Sequence, residues 1–184
     1  RRAFLFHKIY INNSLLIFME KRVVEKKGRI VVTRKGSFVL SLSKKIFNLL
    51  KPYSKKIEIA GSIRRKEKNP VDIDIVLIPK DKNKIEKILK RKGKFLQGGE
   101  KKARFRIEGV NVELYYTNKE EWGAALLAYS SEAGAGIGLR VVAKKKGFKL
   151  NQHGLFKSGR KIAGKTEKEI YHALGRPYKK SENR

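Results

Sequence analysis

A chain of 184 residues with 40% hydrophobic content can bury one compact core or two small lobes, which excludes wholesale disorder. Its 46 Lys and Arg against 17 Asp and Glu leave a net charge of +29, far beyond what solubility needs, so a polyanion is the expected partner and nucleic acid the first candidate. Cysteine is absent, which excludes disulfides and thiolate metal sites; His7, His153 and His172 are too scattered for zinc, and no apolar run approaches a membrane span.

Residues 3–18 are apolar and follow Arg1 and Arg2 in the manner of a secretory leader, but Asn12 and Asn13 interrupt them and no small-residue cleavage site follows. Met19 is the sole methionine and a candidate native start. Residues 29–33 and 37–41 read as two strands around Arg34-Lys35-Gly36, a hairpin. Ser43 then reads as the N-cap of a helix whose stripe is Ile46, Phe47, Leu49 and Leu50, stopped by Pro52. A strand is expected over 57–60, a Gly61-Ser62 turn into a basic helix-loop, and a strand over 71–78 that Pro79 ends. Ile85, Ile88 and Leu89 mark an amphipathic helix over 83–92.

Residues 102–116 alternate apolar and polar on both sides of Glu108-Gly109, a hairpin. WGAALL from Trp122 begins a helix, and the glycine-rich stretch 130–138 reads as a hinge. Residues 139–146 read as a helix with a cationic end at Lys144, Lys145 and Lys146, closed by Gly147. A pair of strands follows, turning at 151–154, then a helix capped by Thr166 and a basic, mobile tail from Tyr178.

The chemistry concentrates in residues 61–78, GSIRRKEKNPVDIDIVLI. Side chains alternate along a strand, so Asp72 and Asp74 project from one face about 7 Å apart. Two such carboxylates can hold divalent ions, and hard oxygen ligands suit Mg²⁺. Val71, Ile73, Ile75 and Leu77 make the opposite face apolar, so the acids sit on a half-buried strand, where unpaired carboxylates are costly. The Gly61-Ser62 turn offers backbone N–H groups to phosphate oxygens. On the second strand of the 102–116 hairpin, Asn111, Glu113 and Tyr115 share a face, which makes Glu113 the candidate third ligand; an ordinary surface glutamate is the alternative reading. Asp-x-Asp on an exposed edge is the plainer reading of the pair. Basic and acidic residues number 15 and 3 over 1–60, 18 and 11 over 61–140, and 13 and 3 over 141–184, so acid gathers around the suspected metal site. A ribosomal or chromatin-like protein would be basic without such a cluster.

The order GS-x-R-R, D-I-D-I, a third acidic strand, W-G-A-A-L-L, a glycine-rich segment and R-V-V-A-K-K-K-G-F-K-L-N-Q-H-G-L-F resembles the family X DNA polymerases over about residues 37–178, most nearly their short viral form. The resemblance implies an α+β fold: a nucleotidyltransferase palm with a mixed sheet over 37–129 and a small C-terminal α/β subdomain for nucleotide and template over 130–184. Residues 1–36 are then an N-terminal extension and hairpin start, with no lyase domain. Asp72, Asp74 and Glu113 would hold two Mg²⁺ ions, with Mn²⁺ as an alternative. Gly61, Ser62 and Arg65 would contact the incoming triphosphate, Tyr129 the deoxyribose as a steric gate, and Arg140 the template-side minor groove, with Lys144, Lys145 and Lys146 on DNA. Glu at 113 replaces the family's aspartate. Ala128 replaces the first aromatic of the gate, and Ser130, Ser131 and Glu132 stand for Thr-Gly-Ser. Ala133 and Gly136 stand where side chains would contact the base, which implies loose base selection.

The expected function is template-directed addition of dNTPs to a primer 3′ end, filling short gaps in DNA repair, by an intracellular monomer with no membrane association. Template-independent terminal transfer or another nucleotidyl transfer is the first alternative. A catalytically impaired nucleic-acid-binding protein is the second.

Overall fold

Strand β4 (Asp72–Pro79) lies at the heart of the computed structural model, which describes residues 21–26 and 29–184. The apolar segment 3–18 and Met19 lie outside the described residues. Ile73, Ile75 and Leu77 of β4 are fully buried on one face, as the alternation predicts. On the other face Val76 and Ile78 are buried beyond the two aspartates. Five strands form the sheet in the order β3-β4-β7-β6-β5, with β3 Ser54–Ile59, β5 Lys94–Gly98, β6 Lys102–Ile107 and β7 Val110–Tyr116. β4 and β7 are parallel and the other pairs antiparallel, so the sheet is mixed and the fold α+β.

Two helices cover the face of Ile73 and Ile75: α1 (Gly36–Leu50) through Val39, Leu42, Ile46 and Leu50, and α3 (Lys82–Lys90) through Ile85 and Leu89. Helix α1 corrects the expected strand at 37–41. The β-branched and aromatic residues of SFVLS suggest a strand, but Val39, Leu42, Ser43 and Ile46 recur at helical spacing on the core and decide the matter. Ser43 is no N-cap; its hydroxyl donates to the Leu40 carbonyl inside α1 at 2.8 Å. Residues 29–34 do form a strand, β2 (Arg29–Arg34), but its partner is β1 (Lys21–Lys26).

Helix α4 (Trp122–Ser130) is apolar all round and joins two cores. Trp122, Ala125 and Leu126 pack on Val76 and Ile78, whereas Ala124 and Leu127 pack with Leu155, Ile170 and Leu174 of the C-terminal half. Gly123 lies against the Thr166 backbone, where any Cβ would collide. The C-terminal half comprises α5 (Ala133–Lys145), an antiparallel sheet of β8 (Lys149–Asn151), β9 (Gly154–Lys157) and β10 (Arg160–Ala163), and α6 (Glu167–Ala173). Thr166 caps α6 with a complete capping box.

Three expectations here are corrected. The glycine-rich hinge is largely helical, because α5 begins at Ala133 and carries Gly134, Gly136 and Gly138 in its first turns. Glycine costs about 1 kcal/mol relative to alanine in a helix, a preference that continuity with the better helix formers downstream overrides. The pair of strands is a triplet; the Ser158-Gly159 turn, at φ 47° and 80°, adds β10. The tail from Tyr178 is tied down: the Ser181 hydroxyl donates to the Arg64 carbonyl at 3.1 Å and Arg184 reaches Glu167 at 2.9 Å.

Candidate active site

Gly61 stands where the chain leaves β3 for the single turn α2 (Gly61–Arg64), at φ +61°. A Cβ there would run into the Asp74 carboxylate, so the backbone angle and the close approach both demand glycine. The Ala60 amide donates to the Asp74 carbonyl at 2.7 Å, which fastens this turn to the aspartate strand. The Ser62 hydroxyl is buried without a protein partner. Leaving a buried hydroxyl unpaired costs about 1–3 kcal/mol, a cost seen where a ligand is to be met. Arg65 follows, its Nη1 donating to the Ser130 carbonyl at 3.3 Å and its Nε to Glu67 at 3.0 Å.

The parallel register of β4 and β7 sets Asp72 opposite Asn111 and Asp74 opposite Glu113. Between the two carboxylates lies the Tyr115 hydroxyl, 2.8 Å from Glu113 Oε2 and 3.3 Å from Asp74 Oδ1. Arg104, directly across from Glu113 on β6, holds its other oxygen at 2.7 Å. The Tyr115 ring stacks on Tyr129 of α4, with centroids 3.6 Å apart and planes 14° from parallel. Asp74, Glu113, Tyr115, Tyr129 and Arg65 thus form one continuous constellation around the Gly61 turn.

Burial pushes the Asp74 carboxyl up to about 7, and the Asp72 and Glu113 charges add to the rise; the Tyr115 hydrogen bond and Arg65 offset only part of it. Burial, with the Asp74 and Glu113 carboxylates, also raises Tyr115 well beyond the ordinary phenol range, so its hydroxyl stays protonated. Such crowding of oxygen donors fits a hard divalent cation, which would relieve the repulsion. Among the described residues no three His, Cys, Asp or Glu side chains are grouped to hold an ion. Glu113 is held by Arg104 and Tyr115 in this arrangement, so a cation would compete with those partners for its oxygens. Tyr115→Phe, which keeps the ring and removes the hydroxyl, is therefore expected to tighten Mn²⁺ binding at pH 8.5 on the order of tenfold, since a hydrogen bond to a charged group is worth about 1.5–3 kcal/mol. Electron paramagnetic resonance titration of Mn²⁺ checks this.

The remaining candidates sit on a second surface. Arg140 lines a cleft of about 220 Å³ with Ala128, Ser131, Gly136, Ile137 and Asn151. Lys144, Lys145 and Lys146 are exposed at the C-terminal end of α5. The sequence reading assigned no role to Tyr115 or Arg104. Both are detectable in principle, Tyr115 by sharing the Glu113 face and Arg104 by its cross-strand register. It also missed a buried ion network: Arg64 donates to both Glu167 oxygens at 2.9 and 2.8 Å and to Glu58 at 3.0 Å, while Arg184 and Tyr178 reach the same Glu167.

Comparison with known proteins places these features in a lineage. The DNA polymerase beta thumb family matches residues 125–184. The Repair DNA polymerase X of African swine fever virus, in a Namibian warthog isolate, is 33% identical over 143 residues, covering 71% of this chain and 82% of the relative. The Badajoz strain's Repair DNA polymerase X is 34% identical over the same span and shares. A likeness of that extent, running through the aspartate strand into the thumb, means that the chain belongs to the family X DNA polymerases.

Proposed function

We propose that the chain is a repair polymerase that adds deoxynucleotides to a primer 3′ end under the direction of a template, filling short gaps. The observation that carries this is the β4/β7 register, which sets Asp74 opposite Glu113 beside the Gly61-Ser62 turn. Residues 37–129 serve as the palm and 130–184 as the subdomain that receives nucleotide and template. Asp72 and Asp74, joined by Glu113 once it leaves Arg104, would hold two Mg²⁺ ions. Bound there, the ions supply activation of the primer 3′-hydroxyl and stabilisation of the pyrophosphate leaving group.

The chain's own residues do the rest. Ser62, buried and free to donate, and Arg65, beside the carboxylates, bind the triphosphate oxygens. Tyr129, fixed by its stack on Tyr115, limits the space beside the sugar 2′ position. Arg140 and the small residues of the adjoining cleft receive the nascent base pair. No helix among the described residues is long and apolar enough to cross a membrane. Primer extension with and without a template strand tests the reading. Incorporation should follow the template base, and equal incorporation on a single strand would favour terminal transfer.

With +29 net charge, DNA affinity should also fall steeply with salt, the logarithm of the binding constant losing about 0.9 per phosphate neutralised for each decade of salt. Fluorescence anisotropy between 50 and 200 mM salt, values chosen to span the range over which roughly 6–10 contacts cost about 10³–10⁵ in affinity, measures that slope.

A further inference from the structure

We propose that a concavity on the three-stranded sheet of the C-terminal half binds the unpaired template nucleotides that lie 5′ of the base being copied. This rests on the polymerase reading above. Asn151, at the end of β8, lines both the 220 Å³ cleft and a second, wider hollow of about 550 Å³, whose wall includes Lys144, Phe148, Lys149 and Phe156. Asn151 is the wall they share. A template strand whose copied base occupies the first therefore carries its next base toward the second.

The chemistry of the hollow matches a single strand. The Phe148 and Phe156 rings are half-buried, leaving apolar surface toward the hollow. Each ring is attended by an ammonium, Lys157 Nζ lying 5.6 Å from the Phe148 centroid and Lys161 Nζ 5.8 Å from that of Phe156. Lys149 is the cross-strand partner of Phe156 in the β8/β9 ladder, so a ring and an exposed cation stand side by side. Among the described residues no acidic side chain lines the hollow. A purely apolar partner would gain nothing from the lysines of this wall. A base stacked on a ring with its phosphate at Lys149 uses both, and only an unpaired base offers its face. Duplex DNA buries that face in its own stack.

The test compares the full-length protein with Phe156→Leu, Phe148→Leu and Lys149→Gln. Each is titrated by anisotropy on one primer-template duplex whose 5′ template overhang is either one nucleotide, the copied base alone, or four. Wild type is expected to bind the four-nucleotide overhang roughly five-fold or more tightly than the single-nucleotide one, in line with the worth of one stacked base. 2-Aminopurine placed just 5′ of the copied base should be quenched on binding. The variants should lose this preference and the quenching while keeping wild-type affinity and extension on the single-nucleotide overhang. Phe156 lies outside the main apolar clusters, so its substitution guards against a folding defect at Phe148. An equal overhang preference in wild type and Phe156→Leu, no preference in wild type, or losses of equal size on both substrates would each overturn the proposal. Failure of the polymerase reading would look different: no extension by wild type on either substrate.

Discussion

Asp74→Asn is expected to abolish Mg²⁺-supported primer extension and, with metal removed, to raise the melting temperature at pH 8. The Asp74 carboxyl is held up at about 7 against an ordinary value of 3.8, by burial first and then by the Asp72 and Glu113 charges. A group raised in the folded state contributes stability that is fully present below its unfolded value and is lost as pH rises through the folded one. At pH 8 the wild-type fold therefore carries an ionised, crowded carboxylate, and the amide removes it. The gain should be on the order of 2–4 kcal/mol, because each tenfold change in proton affinity between the unfolded and folded states is worth about 1.36 kcal/mol. For a chain of this size that corresponds to a rise of roughly 4–16 °C in melting temperature. At pH 4, where Asp74 is protonated when folded, the two proteins should melt much closer together. Extension should fall at least about 10³-fold, because an ion held by Asp74 would stabilise charge in the transition state by several kcal/mol. Asp72→Ala should lose extension likewise, and duplex affinity should be nearly unchanged in both. Retained extension in either variant would refute the reading of β4 as a metal-binding strand, and an unchanged pH 8 melting temperature in Asp74→Asn would refute the crowding of its carboxylate.

Glu167→Leu is the substitution expected to unfold the chain most readily. Its carboxylate, 7% exposed, takes the paired Arg64 hydrogen bonds together with those of Arg184 and Tyr178. Burial pushes Glu167 up, but the Arg64 hydrogen bonds and the charges of Arg184 and Arg64 outweigh it and hold the carboxyl below its usual range. Burial also opposes the charge on Arg64, and the Glu167 and Glu58 carboxylates overcome it. Removing the carboxylate leaves Arg184 stranded and Arg64 with Glu58 alone, and breaking a buried pair in this way costs about 3–5 kcal/mol. The melting temperature should fall by roughly 6–20 °C. Arg64→Met combined with Glu167→Leu should recover part of that loss, since an apolar replacement of both partners is tolerated far better than a stranded charge. The pH sign is opposite to that of Asp74: a lowered carboxyl stabilises the fold above the ordinary carboxylate range and ceases to do so as pH falls below it. Thermal melts of the single and double variants between pH 3 and pH 8, a range set to bracket the carboxylate value of about 4.3, check both claims.

Local pattern made β4 legible. Its alternation of Ile73, Ile75 and Leu77 with Asp72 and Asp74 is a period-two signal that burial reproduces. The hairpin about Glu108-Gly109 was equally plain, because both residues take the positive φ that a tight turn of this kind requires, 49° and 81°. Pattern failed where two periods compete, as in SFVLS, or where composition argues against an element that tertiary continuity supports, as at Gly134 to Gly138. Strand β5 went unseen, being short and exposed throughout, with no alternation to read. The engagement of Glu113 by Arg104 depends on strand register, and the Arg64–Glu167 contact spans 103 residues. Neither has a local signature. Glu113 was therefore legible by its place on a strand, while Arg104, which holds it from the neighbouring strand, was not.

The most direct measurement is a crystal structure of the ternary complex with gapped DNA ending in a dideoxy primer, the matching dNTP and Mg²⁺. Two ions should lie between the triphosphate and Asp72 and Asp74, with Glu113 released from Arg104 and Tyr115 to ligate one of them. A complex in which Glu113 keeps both partners and the ions lie away from Asp72 and Asp74 would contradict the proposed site.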